Sequence, residues 1–99
     1  MADVLLTVHC ARHDAESLAL ALRAAAGAPV HWAEEVVLGH DYDDAGTGEQ
    51  VEGLLRRTAL RLIVAEARCA AVVAAAQAAR RRAPVRWHAV PVHSHGRIA

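Results

Sequence analysis

The chain has 99 residues, of which 55% are hydrophobic, and its formal net charge is zero. That is one domain, too apolar for intrinsic disorder and lacking the basic excess of a nucleic-acid or membrane-surface binder. A domain this short gains from sharing buried surface with other copies.

The first segment, Val4-Leu-Leu-Thr-Val-His9, is β-branched and apolar on both sides, and predicts a buried strand. Asp14 follows as an N-cap candidate. Leu18, Ala21, Leu22 and Ala25 then recur at helical spacing, and Gly27 with Pro29 ends the helix. Residues 30–38 predict a second strand and residues 57–65 a third. Residues 66–82 predict an Ala-rich helix with Cys69, Val72, Val73 and Ala76 on one stripe. Its final Arg80-Arg-Arg82 complements the helix dipole. Pro84 breaks that helix, and residues 85–92 predict a last strand. Pro91 cannot donate to a ladder, so that strand's end sits at a sheet edge or leaves the sheet.

The order is βαββαβ, an α+β ferredoxin-like plan in a single domain over residues 1–99. Two helices cover one face of such a sheet. The apolar residues on both sides of the first and third strands predict an uncovered apolar face, and hence an obligate homo-oligomer.

Between the second and third strands lies the acidic, Gly-bearing segment 41–53. A hairpin needs about two to five connecting residues, and a longer connection in a small domain is usually functional or disordered. Asp41, Asp43, Gly46, Thr47, Glu49 and Glu52 fall at ligand or turn positions of an EF-hand loop. Ala45 supplies no ligand at position five, and strands rather than helices flank the segment. A solvated acidic loop that orders on a partner or cation is the better reading.

Glu35-Val-Val-Leu-Gly-His40 and Arg56-Arg-Thr-Ala-Leu-Arg-Leu-Ile-Val64 resemble the strands that enter and leave the long loop of the PII superfamily of signalling proteins. More closely, Val37-Leu-Gly-His40, Glu49-Gln-Val-Glu-Gly53, Arg56-Arg57, Trp87-His-Ala-Val-Pro-Val92 and Gly96-Arg-Ile98 are similar to a PII-like family of unassigned function whose genes often neighbour heavy-metal efflux systems of the RND type. The likeness covers nearly the whole chain. It implies a homotrimer with sheets packed together and a small effector, often an adenine nucleotide, in the clefts between subunits. It also implies a loop at residues 41–53 that contacts a target, such as a membrane transporter or another protein. Gly39 and His40 match the loop base, where backbone N–H groups meet phosphate. Arg56 and Arg57 match the returning strand, and Arg97 the C-terminal segment that reaches a neighbouring subunit. One departure stands out: Arg80-Arg-Arg-Ala-Pro84 has neither the glycines nor the lysine with which PII proteins close over phosphates.

Seven histidines in so short a chain raise a second possibility. His93 and His95, two residues apart, face the same way in an extended segment, and with His40 they form the candidate Cu or Zn site. Histidines without a common focus are the plainer alternative, since no CxxC or HExxH spacing is present. Cys10 and Cys69 make no disulfide framework. Ser17 and Ser94 lack a nucleophile motif, and Glu34 and Glu35 point to opposite faces of a strand, so no catalytic activity is expected. The chain shows no signal-peptide pattern and no stretch suited to membrane insertion, which predicts a cytoplasmic protein.

Overall fold

The computed structural model describes residues 2–38 and 54–99; Gly39, His40 and the 41–53 segment lie outside them. The elements are β1 (Asp3–Ala11), a 3-10 turn (Arg12–Asp14), α1 (Ala15–Ala26), β2 (His31–Leu38), β3 (Leu54–Ala65), α2 (Glu66–Ala78) and β4 (Arg86–Val92). The strands form one sheet in the order β2-β3-β1-β4, antiparallel at each seam. This is the expected ferredoxin-like α+β plan. Pro91 lies on β4, an edge strand, where a missing N–H is tolerated.

Period-two alternation sorts the strand residues. Val4, Leu6, Val8 and Cys10 of β1 share the helix side with Leu60, Leu62 and Val64 of β3. Leu18 and Leu22, one helical turn apart on α1, press onto them with Val72 and Ala76 of α2. Leu6, Leu18, Leu22 and Leu60 are fully buried, each contributing about 1.5–3 kcal/mol of hydrophobic stabilisation. Gly27 ends α1 in the left-handed region (φ 62°), its N–H donating to the Arg23 carbonyl at 2.9 Å. Arg68 Nη2 of α2 donates to the Ala25 carbonyl at 2.9 Å, tying the two helices together.

Two local expectations change. Helix α2 stops at Ala78 rather than Arg82, and its last turn holds no basic residue. Tertiary hydrogen bonds claim the backbone beyond it. Ser17 Oγ donates to the Arg80 carbonyl at 2.7 Å, and the Asp14 carboxylate accepts from the N–H groups of Arg82 (2.8 Å) and Ala83 (3.0 Å). Pro84 also disfavours helical backbone in the residue before it. Asp14 does precede α1, but its side chain makes no capping bond there and is buried against this connection.

The third change concerns the sheet face away from the helices, which is not an apolar patch. Thr7 and His9 of β1, Arg57 and Arg61 of β3, His31 and Glu35 of β2, and Arg86 and His88 of β4 form a polar band across it. Leu5, Ile63 and Val90 flank that band at one end. The run that opens β1 supplies this face with Leu5 alone among its large aliphatics, and β3 sets Arg57 and Arg61 between Leu55 and Ile63.

Candidate functional site

Antiparallel register brings distant residues into one row on the open face. Glu35 lies opposite Arg57, and Arg57 opposite Ala11; in the next row Ala33, Ala59, His9 and Arg86 follow one another across the sheet. Over these rows sits a cleft of about 200 Å³. It is lined by the polar side chains of His9, Glu35, Arg57 and Arg86 and by the apolar ones of Val37, Leu55 and Pro84. Val37 and Leu55 are register partners, one residue inside the ends of β2 and β3 from which the 39–53 connection departs. Pro84 belongs to the connection between α2 and β4. The cleft therefore lies where the two connections meet the sheet.

Among the polar lining residues, Nδ1 of His9 is hydrogen-bonded to Oε1 of Glu35. The imidazole also stacks on His88, with ring centroids 5.5 Å apart and planes inclined by 22°. These contacts fix the ring of His9 between two strands that are not neighbours. Arg57 is 8% exposed, and its Nη1 donates to the Arg56 carbonyl at 2.9 Å. The planar, multi-donor guanidinium of arginine suits carboxylate and phosphate groups. Among the described residues, the lining carries two arginines and one carboxylate, that of Glu35.

On the helix side, Glu34 receives Arg12 Nε at 2.6 Å and the Thr58 hydroxyl at 3.4 Å. Glu34 and Glu35 thus serve opposite faces and make no acid–base pair. Beneath them Cys10 is fully buried and donates weakly to the Thr58 carbonyl at 3.7 Å. Burial, reinforced by the nearby Asp14 carboxylate, pushes its thiol up to about 11. It therefore stays protonated at neutral pH and is a poor nucleophile or metal ligand.

The residues singled out from the sequence divide. Arg57 lines the cleft, whereas Arg56, its neighbour on the strand, pairs with Val36 on the helix side. The two cannot serve one pocket together. Arg97 is exposed in the C-terminal segment and does not line the cleft. His93 and His95 follow the end of β4, and His95 Nε2 lies 2.9 Å from Asp3 Oδ2. Among the described residues, no group of three or more His, Cys, Asp or Glu is gathered for a metal ion. His9, Glu35, Pro84 and Arg86 were not singled out as a site. Alternation along each strand could have assigned their faces, but their meeting depends on register between strands.

A family model described as "Protein of unknown function (DUF3240)" matches residues 1–99. A solved structure of a DUF3240 family protein from Shewanella baltica OS155 superposes with a TM-score of 0.76 at 12% identity. That match covers 98% of this chain and 97% of the other. A Bacillus cereus protein related to NIF3 superposes with a TM-score of 0.70 at 14% identity, over 94% of this chain. This chain spans 26% of that protein's length. At such identities the structural likenesses concern the fold alone. No curated protein matches the sequence. The family match runs the length of the chain, and the chain belongs to the DUF3240 family of proteins of unknown function.

Proposed function

We propose that this chain is a non-enzymatic, cytoplasmic regulator of the PII-like kind. It acts as a homotrimer that binds a small anionic effector at the subunit seam and meets a target protein through residues 41–53. The observation that carries this reading is the cleft near the ends of β2 and β3, lined by Arg57 and Arg86 together with Val37, Leu55 and Pro84. A ligand seated there touches both strands that lead into the 39–53 connection, so occupancy can be passed to the segment offered to the partner. The resemblance to PII proteins makes an adenine nucleotide the first effector to test. Gly39 and His40 adjoin the cleft in sequence and are the proposed backbone contacts to its phosphates, with Arg97 supplied by a neighbouring subunit. The proposed partner is a membrane transporter or another protein, not nucleic acid. Among the described residues, no helix is long and apolar enough to cross a membrane.

Calorimetric titration with ATP, ADP and AMP tests this reading. Saturable binding should weaken about 10- to 100-fold in Arg57→Ala, the usual loss for a charge-assisted hydrogen bond. Binding unchanged by that substitution, or no binding of any nucleotide, would refute the effector assignment. The alternative is a Cu or Zn module linked to heavy-metal efflux, using His40, His93 and His95. The approach of Asp3 to His95 adds a carboxylate to that set. Stoichiometric metal uptake, lost in the His93→Ala/His95→Ala double variant, would favour it instead.

A further inference from the structure

We infer that the helix side of the sheet carries a second ligand site, between α2 and the start of β4, that takes a small carboxylate with a compact apolar body. A cavity of about 110 Å³ lies there, and it shares no lining residue with the cleft on the open face. Period-two alternation keeps the two apart: Pro84 and Arg86 line the cleft, whereas Val85 and Trp87 line the cavity. Trp87 is the register partner of Val8, a member of the core beneath the helices. Helix α2 contributes Val73, Ala76 and Gln77, and Ala76 is too short to fill the space. That helix stops at Ala78, and the chain beyond it is held by Ser17 and Asp14. Arg81, on this held stretch, lines the same cavity.

The lining is graded in polarity. Val8 (1% exposed) and Ala76 (7%) are buried, Val73 and Val85 are half-buried, and Gln77, Arg81 and Trp87 are exposed. The sheltered groups are thus apolar, and the exposed ones carry N–H donors. Such a lining suits a ligand with an apolar body and one acceptor-rich end. Charge narrows the choice. Among the described residues, Arg81 is the one charged group of the lining, and no ion pair engages it. Its Nη1 donates to the Ala83 carbonyl at 3.3 Å, two residues along the chain, and a guanidinium has several donors besides. A carboxylate is the acceptor that matches it best in shape and charge. Size sets the rest. A dry cavity of about 150 Å³ holds one benzene molecule, so a cavity of about 110 Å³ takes a body of roughly four or five carbons. A nucleotide is far too large for it, so this site is independent of the proposed effector.

Proton–nitrogen correlation spectra of the full chain, titrated with 3-methylbutanoate, test the site. A ligand of this size should bind with a dissociation constant on the order of 1 mM. Saturable shifts are expected at the Trp87 indole N–H and at the amides of Val73, Gln77 and Val85. Arg81→Gln should weaken binding about fivefold, the scale of a charge-assisted contact at an exposed site. Arg82→Gln, at an exposed arginine outside the lining, should leave it unchanged. 3-Methylbutanamide, uncharged and of the same shape, should bind the wild-type chain about fivefold more weakly than the acid does. Shifts centred on His9 and Arg86 instead would move the ligand to the cleft and overturn the inference. Equal losses in the two arginine variants would reduce binding to general attraction by a basic surface, with the same result. No saturation by about 50 mM would likewise remove the site.

Discussion

Asp14 illustrates how one side chain sets the path of a distant segment. It is 3% exposed, and both of its oxygens accept backbone N–H groups from the connection that delivers Pro84 and Arg86 to the cleft. Asp14→Ala would strand those donors and should lower stability by about 3 kcal/mol, whereas Asp14→Asn, retaining one acceptor, should cost about half as much. Urea denaturation checks this: equal losses for the two variants would mean that packing, not hydrogen bonding, gives the residue its weight. Cys10 makes a second prediction, through pH. Its thiol is raised from an ordinary 9.0 to about 11, so the unfolded chain loses this proton before the folded chain does. The stabilisation is complete below pH 9 and declines as pH rises through 11. Two units correspond to about 2.7 kcal/mol, an order-of-magnitude figure. The chain contains no lysine, so besides Cys10 the side chains that ordinarily titrate near this window are Tyr42 and Cys69. In Cys10→Ala the fall in stability between pH 9 and pH 11 should flatten. An unchanged slope would assign the effect to other groups.

At the scale of elements, the sequence carried the fold because periodicity and punctuation agreed. Leu18 and Leu22 marked the buried stripe of α1, Gly27 its end, and Pro91 an edge strand, and each stands in that role. The end of α2 was hidden for a physical reason. Nothing local to Arg80-Arg-Arg82 opposes a helix; the opposition comes from Asp14 and Ser17, which lie far back in the chain and become neighbours only after folding. The open face was misread in a related way. The run that opens β1 reads as apolar on both sides, yet strict alternation assigns Leu5, Thr7 and His9 to the open side of β1 and makes its centre polar. The site was legible only in part. Arg57 came from the likeness to PII proteins, but Arg56 beside it is excluded by the same alternation. His9, Glu35 and Arg86 meet through β2-β3-β1-β4 register, which no single strand announces.

For the whole molecule, the question is whether one copy buries enough. Its largest fully buried side chains are Leu, Val, Thr and Cys, with no aromatic among them, and α2 contributes chiefly alanine. A core of that kind is modest for a small domain, and the proposed association of copies would add stability that depends on protein concentration. The two tryptophans make this measurable. Trp32 and Trp87 are half exposed, stand on opposite edge strands, and are the chain's entire complement of that residue. Intrinsic fluorescence therefore reports on the edges alone. On serial dilution, a proposed oligomer that covers these strands should give emission that shifts to the red as the copies separate, while the far-ultraviolet dichroism of the sheet and helices holds until lower concentration. The thermal midpoint should fall over the same range. If mass declines with dilution but tryptophan emission does not move, the copies meet on another surface, and the effector cleft must then be sought beside that surface rather than along the strand edges.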